Sequence, residues 1–473
     1  MKQLVNSDNT NMNMNSTEIN STEINSPHLK STASNTNGLD QSAITKTPGK
    51  IACLGAFVTG FFRAKYYQKI TRSRLIKQQN KHFNGFKKAV LAHSPFYQAY
   101  LDLPLAQFPL IDKKTHMAHF DQINTAKLLR DTALNIAITA ENTRDFTPTY
   151  GQYAVGLSSG TSGNRGLFIS SKIERAEWAG YMVAKAFPHY LRPQRIAFFL
   201  RANNRLYENT RSIFTQFRFF DLLTSLETHI STLEAYNPSI LIAPASVLLH
   251  LSRLQPKISP KKFIAVAEVL EEEDKQKISA YFGQKVHQIY QCTEGFLGIT
   301  CSHGNLHLNE DNIIIEKHWI DQTQGRFSPI VTDLRRRTQP IVRYLLDDVL
   351  VEEPTPCPCG SSHTRIQSIE GRKDDVLQLA NHNNKPIHVY SDFIRNTIVS
   401  HCERVEEYRV TQTHTNALLI ECEPYTNDNK DKIVSSLNLL FNKLDIKQPD
   451  YQFKPYQYPK KGEKRRRVIN TVK

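Results

Sequence analysis

The run Leu157–Gly166, LSSGTSGNRG, places three glycines and four hydroxyl side chains within ten residues. Gly160, Gly163 and Gly166 permit tight backbone turns, and Ser158, Ser159, Thr161 and Ser162 bring hydroxyl donors into one small volume. Backbone N–H groups and hydroxyls arranged this way surround phosphate oxygens without steric obstruction. No Gly-Lys-Ser/Thr closes the run, so it is not a Walker loop. The competing reading is a plain flexible loop, which Ser/Gly-rich stretches also form. A second constellation is Cys301-x5-His307 with Cys357-x-Cys359, three thiols and one imidazole. Those four ligands suffice for a tetrahedral zinc site, structural in kind because no coordination position stays open. Ser-His-Gly-Asn at 302–305 and Pro-Cys-Gly at 358–360 suit ligand loops. The Cys-x-Cys spacing is tighter than the standard ones, His303 or His363 can replace His307, and unligated surface cysteines remain the alternative.

The elements that must hold these residues read as an α/β chain. Ile196–Leu200, Ile240–Ala243 and Phe263–Val266 have the short apolar runs of buried strands, with helical patterns at Ser246–Leu254 and Glu271–Phe282 between and after them. That alternation implies largely parallel strands. After Asp374 the pattern becomes that of a small α+β unit. Its strands are expected at Tyr408–Gln412, Ala417–Glu423 and Tyr451–Phe453, and its helix at Lys430–Leu444. The domain reading is an Asn/Ser/Thr-rich disordered tail at 1–50, a large domain at 51–372 with a basic helical lead-in, and a small C-terminal domain at 373–473.

Charge narrows the partners. The 473 residues carry 60 Lys+Arg against 45 Asp+Glu, net +15. Residues 51–101 hold nine basic and no acidic side chains, and 460–473 hold seven basic and one acidic. These two segments account for the whole excess, so 102–459 is neutral and no basic face spreads over the main domain. A nucleic-acid partner is therefore not expected. Ile51–Phe62 is apolar, but as a helix it rises only about 18 Å, too short to span a bilayer. Docking on the domain is one reading of it; with the basic residues up to 90, weak contact with a membrane surface is the other. Seven cysteines, unevenly spaced, argue against a secreted disulfide framework and for the cytoplasm.

In chain order, further motifs accompany the glycine-rich run: Ala267-Glu268-Val269, Tyr290-Gln291-Cys292-Thr293-Glu294, Thr332-Asp333-Leu334, Pro340–Asp348 and Gly371–Asp375. With Ser94-Pro95-Phe96-Tyr97 near the start, this set resembles the adenylate-forming enzymes, in the branch of phenylacetate–CoA ligases and coenzyme-F synthetase-related proteins. The resemblance spans roughly 65–473. It implies a large N-terminal domain with mixed or parallel sheets and a small mobile α+β lid. The run 158–163 with Arg165 would be the phosphate loop, and Ala267 and Glu268 would contact adenine. Tyr290 would stack on adenine, unless it is simply a buried aromatic of its strand. Asp348 would accept both ribose hydroxyls, unless it caps a turn. Arg372 would hold ribose or phosphate, Thr293 would donate to the α-phosphate, and Glu294 would ligate Mg²⁺. Lys464, in Lys464-Arg465-Arg466-Arg467-Val468, matches the lysine that enters for adenylation; the alternative is a solvated basic tail. Similar cysteine and histidine placements occur in phenylacetate–CoA ligase relatives.

The expected activity is ATP-dependent conversion of a carboxylic acid to an acyl-adenylate, followed by transfer to CoA or a carrier-protein phosphopantetheine. The sequence departs from the family pattern at Asn164-Arg165, Gln291 and Glu463, and the adenine motif lacks its flanking Gly and Pro. Those departures motivate the second reading, a catalytically impaired, zinc-stabilised nucleotide-binding or peripheral membrane protein on the same fold.

Overall fold

A computed structural model of the chain describes residues 48–143, 145, 149–158, 165–187, 192–200, 215–222, 224–372, 375–402, 404–459 and 465–472. The expectations for Ser159, Gly160, Thr161, Ser162, Gly163, Lys464 and the hinge at Asp374 lie outside the described residues.

The apolar run begins α1 (Lys50–Tyr67), followed by α2 (Arg72–Ala89). Leu75, Gln79, Phe83 and Phe86 are the buried residues of α2, and their spacing of three or four puts them on one helical stripe. Among the helices that follow are α3 (Lys113–Ala118), N-capped by Asp112 through Thr115 N–H at 2.7 Å, and α4 (Arg130–Thr143). β1 (Ala154–Leu157) and β2 (Leu167–Ser170) pair antiparallel around the glycine-rich run. α5 (Lys172–Ala186) opens with a reciprocal capping box between Ser171 and Glu174. α1 lies directly on α5, at a crossing that only glycine permits. A Cβ on Gly60 would sit 2.0 Å from the Glu177 carbonyl oxygen, and one on Gly180 would sit 1.9 Å from that of Phe57. Docking on the domain is thus what the apolar run does with its inner face.

The main sheet has a parallel and an antiparallel half. β3 (Gln194–Leu200), β4 (Thr215–Asp221), β5 (Ile240–Ala243), β6 (Lys262–Ala265) and β7 (Val286–Cys292) run parallel in the order β4-β3-β5-β6-β7. All four residues of β5 are buried, as a strand covered on both faces requires. α6 (Ala245–Leu254) and α7 (Glu272–Phe282) connect this half. From β7 the sheet turns antiparallel through β8 (Gly295–Thr300), β9 (Leu306–Leu308), β10 (Ile313–Asp321), β11 (Arg326–Asp333), β12 (Ile341–Leu345), β13 (Asp348–Glu352) and β14 (Arg365–Arg372). The largely parallel sheet expected from sequence is therefore only half of it. Short turns such as Thr293–Glu294 allow hairpin pairing without a crossover helix.

Beyond a hairpin of β15 (Leu377–Ala380) and β16 (Pro386–Val389), α8 (Ser391–His401) and α9 (Asn427–Lys443) accompany a separate four-stranded sheet. Its order is β19 (Asp450–Pro455), β18 (Ala417–Glu423), β17 (Glu407–His414) and β20 (Val468–Asn470). This is the small α+β unit expected after Asp374, with its own core of Leu377, Ile394, Tyr408, Ile420, Leu437 and neighbours. The α/β class with a large mixed sheet and a smaller C-terminal α+β region stands.

Because the Cβ of any other residue would overlap the partner helix's backbone, Gly180→Val should separate α1 from α5. The expected cost is about 1–3 kcal/mol or more, read as a lowered denaturation midpoint, whereas Gly85→Ala, inside α2 with open space around it, should raise the midpoint slightly.

Candidate active site and metal centre

A cavity of about 570 Å³ is lined by the ends of β1, β7 and β13, the 266–269 segment, and residues 465–468. Ser158 lies at the neck of the glycine-rich run. Its N–H donates to Gly166 O at 2.7 Å, and the Gly166 N–H donates to its Oγ at 2.7 Å. Ser158 lines the cavity. Arg165 is engaged elsewhere: both Nη atoms reach the Glu141 carboxylate at 2.6 Å, and Nε donates to Ser158 O at 2.9 Å. A bidentate pair of this kind fixes the neck of the loop, and Arg165 is not part of the cavity wall.

Ala267 and Glu268 follow the end of β6 and line the cavity. Ala267 has φ of 65°, at the centre of a turn closed by Glu268 N–H to Val266 O at 2.8 Å. A left-handed alanine costs on the order of 1 kcal/mol or more; it sits where the resemblance places a nucleotide contact. Glu268 accepts from the Ser246 N–H at 2.9 Å, satisfying an orphan donor in the first turn of α6.

Tyr290 is buried in the sheet interior on β7, and its hydroxyl donates to Asp348 Oδ2 at 2.6 Å. Arg372 Nε stands 3.9 Å from Asp348 Oδ1. Asp348 opens β13, where its carboxylate is held between a phenol and a guanidinium 58 positions and 24 positions away. Burial, then the Asp348 charge, push the Tyr290 hydroxyl well above its ordinary pKa, so it stays a donor. Thr293 Oγ1 donates to Glu294 Oε2 at 2.8 Å, and Arg336 fixes the same turn through Thr293 O at 2.9 Å. Glu294 also hydrogen-bonds the Tyr344 hydroxyl, whose pKa is raised by burial and by that carboxylate. As a carboxylate oriented by two hydroxyls, Glu294 fits a hard cation such as Mg²⁺.

Three cavity residues carried no role from sequence. Asp333, at the end of β11, is buried, and burial pushes its carboxyl up to about 6 against the pull of Arg336 and Arg335. Gly295 gives it room: a Cβ there would lie 2.9 Å from Asp333 Oδ2. The Thr332-Asp333-Leu334 match marks its position without indicating a function. Arg336 belongs to the stretch between two matched motifs. Lys113, from α3, packs beside Gly166 and lines the cavity with Ser158 and Glu294. It comes from 45 positions upstream of Ser158, and only the fold brings it there. Burial lowers its pKa, and Glu294 opposes that shift.

The C-terminal basic run is not a solvated tail. Arg465 pairs with Asp274 of α7 and lies 3.4 Å from Glu407. Arg467 lies 3.4 Å from Glu271 and 3.5 Å from Asp274. Their side chains are only 9% and 5% exposed. Arg466 pairs with Asp375, whose Oδ2 also accepts from the Arg372 N–H at 3.0 Å. Gly371 (φ 113°) is required here, because a Cβ would approach that carboxylate to 2.8 Å. The three arginines are thus committed to protein carboxylates.

The cysteines and histidine proposed as zinc ligands do come together. The ligand atoms of Cys301, His307, Cys357 and Cys359 all lie within 4.8 Å of one another. The Cys301 and Cys357 sulfurs are 3.8 Å apart, and Cys359 Sγ is 3.5 Å from His307 Nε2. A tetrahedral zinc with ordinary Zn–S and Zn–N bonds has edges of about 3.8 and ~3.6 Å, so the donor set fits that ion. His307 Nδ1 lies 3.1 Å from the His363 carbonyl oxygen, which orients the ring, and Asn305 Nδ2 lies 3.1 Å from Cys357 Sγ. His363 itself lies beside Asp311, Nδ1 to Oδ1 at 3.9 Å. The cluster pins the β8–β9 hairpin to the loop between β13 and β14.

No protein-family model matches the chain, and no curated protein sequence matches it. Solved structures do. A 2-hydroxyisobutyryl-CoA ligase, in a postadenylation state with 2-HIB-AMP, superposes at TM-score 0.63 with 14% identity, over 85% of this chain and 90% of that one. The same ligase in an open conformation with 2-HIB-AMP and CoA gives 0.55 at 14% identity, over 85% and 92%. Its thioesterification state gives 0.50 at 16% identity, over 85% and 91%. The chain has the fold of adenylate-forming CoA ligases.

Proposed function

We propose that the chain activates a carboxylic acid with ATP as an acyl-adenylate and passes the acyl group to a thiol, CoA or a carrier-protein phosphopantetheine. The observation that carries this reading is convergence. Ser158, Glu268, Tyr290, Thr293, Glu294, Asp348 and Arg372, assigned from separate motifs, line one cavity together with the residues that follow Lys464. The 2-hydroxyisobutyryl-CoA ligase of the same fold was crystallised with an acyl-AMP and with CoA, which agrees with it.

A carboxylate oxygen of the acid attacks the α-phosphorus, the bond to the β-phosphate oxygen breaks, and pyrophosphate leaves. No protein nucleophile is needed; stabilising the charge that develops on the phosphoryl oxygens is the catalytic task. Asp348, oriented by Tyr290, accepts the ribose hydroxyls, and Arg372 stands beside it. Thr293 would exchange its hydrogen bond to Glu294 for one donated to the α-phosphate, Lys113 supplies a cation at the loop neck, and Lys464 adds one at the reacting oxygens. Glu294 would hold Mg²⁺, which neutralises nucleotide phosphates when bound. In the second half-reaction the thiolate attacks the acyl carbonyl and AMP leaves. The region 373–473 would act as a lid on the body 51–372, turning near Asp374 to admit the thiol.

Trp178, Met182, Phe187, Phe198, Phe217 and Ile242 also line the cavity. Such a wall suits an apolar acyl group, alkyl or aryl. Cys301, His307, Cys357 and Cys359 would bind a structural zinc that holds two loops of the antiparallel half together.

Carboxylate-dependent exchange of labelled pyrophosphate into ATP tests the activity. Apolar acids should support exchange, Asp348→Ala should raise the KM for ATP about 10- to 100-fold, and Lys464→Ala should lower the exchange rate by roughly 10²–10³. A folded protein that neither exchanges with any acid of a broad panel nor binds ATP would remove the proposal and leave the non-catalytic reading. Metal analysis should find one zinc per chain, lost in Cys357→Ser with a fall in melting temperature of about 5 °C or more. Zinc-free protein whose stability ignores that substitution would contradict the metal assignment.

A further inference from the structure

The basic lead-in has no part in the proposed reaction, and α1 has two apolar sides. Its inner side, with Gly60, Ala64 and Tyr67, is buried. Its outer side carries Ile51, Leu54, Val58, Phe62 and Tyr66, which are 88%, 63%, 42%, 64% and 63% exposed. Spacings of three and four make these one continuous stripe, about 22 Å long at the helical rise. Exposed apolar surface on that scale, several hundred Å² in all, marks an interaction site more often than chance exposure. No helix among the described residues is long and apolar enough to cross a membrane, so the stripe is a face to lie on a surface.

The charges around the stripe select the occupant. Lys50 precedes it, Lys65 flanks its last turn and Lys69 follows it. Arg63, on the flank, is committed to Glu177 and to Asn312 at 2.9 Å. From the elements packed behind, Lys185 of α5 lies near Lys65 while bound to Asp311, and Lys262 at the start of β6 also faces Lys65. Burial, then the Lys65 charge, lower Lys262 to about 8. The nearby carboxylates are turned inward: Glu174 to Ser171 and Thr338, Glu177 to Arg63 and Arg337, Asp311 to Tyr181 and Lys185. The next helix, α2, adds exposed Arg74, Lys77, Lys81 and Lys88, and 51–101 has no acidic residue at all. A second copy of this face would bring like charges together, since antiparallel pairing sets Lys50 against Lys65 and Lys69. An anionic lipid surface meets both features: headgroups pair the lysines while the stripe, with Phe62 and Tyr66 at one end, enters the interface.

We propose that the outer face of α1 seats the protein on anionic lipid bilayers. The seat is independent of the acyl-adenylate reaction, and its test reads no activity. The purified full-length chain is co-sedimented with phosphatidylcholine vesicles and with vesicles containing 30% phosphatidylglycerol. Binding is expected to the anionic vesicles alone and should fall at least about fivefold in 0.5 M salt. Leu54→Glu/Phe62→Glu should abolish it with the melting temperature unchanged. Lys50→Gln/Lys69→Gln, which leaves the apolar stripe intact, should weaken it about thirtyfold at low salt. No binding to the anionic vesicles, or equal binding by the Leu54→Glu/Phe62→Glu chain, overturns the proposal. So does a concentration-dependent dimer in sedimentation velocity that this variant dissociates, because the stripe would then belong to a second copy.

Discussion

Arg465 and Arg467 must find carboxylates or leave two cations nearly dry. Asp274 and Glu271 at the start of α7, with Glu407 at the start of β17, supply the counter-charge. Asp274 is 1% exposed and Glu407 6%, so each group's burial is tolerable only because the others are there. Removing one partner from such a network costs about 3–5 kcal/mol. Tyr408 adds its ring face, 4.6 Å from the Arg467 guanidinium. This one interaction sets where the C-terminal region stands against the large sheet. It thereby places residues 465–468 in the cavity wall. A lid that turned between half-reactions would have to exchange these pairs for water or for other partners. The network is consequently the natural place for the energetic balance between the two arrangements.

The lining of the cavity behind that network combines charged and apolar side chains. Glu294, Asp333, Asp347, Asp348, Lys113, Arg336 and Arg372 belong to the first set, and Trp178, Phe198 and their apolar neighbours to the second. A nucleotide needs the first and an apolar acyl group the second. Tyr290 stands on β7, the strand whose one edge pairs parallel with β6 and whose other edge pairs antiparallel with β8.

Much of this was legible in residues. The runs at 240–243 and 417–423 became strands with those bounds, because a stretch of apolar or alternating residues between turns has few other ways to bury itself. The four metal-site residues meet although 58 positions separate Cys301 from Cys359, since thiols and imidazole on tight loops leave a recognisable spacing. Other features had no local signature. The antiparallel half follows from hairpin pairing across 295–372, which apolar runs do not specify. Arg165 reads as a cation for phosphate, yet Glu141, on a helix whose docking the sequence does not announce, claims it in a bidentate pair. The run 465–467 has the composition of a solvated tail, and only the carboxylates of α7, nearly 200 positions earlier, give it a place inside. Lys113 likewise reaches the cavity through the fold alone.

The central claim is that the charged and the apolar lining of the cavity serve one acyl-adenylate. Calorimetric titration of the purified chain with a non-hydrolysable acyl-sulfamoyl-adenosine, beside AMP and the free acid, addresses it directly. With an apolar acyl group the analogue should bind at least about 100-fold more tightly than AMP, because it engages both kinds of lining at once. Binding no tighter than AMP, across alkyl and aryl analogues alike, would contradict the account.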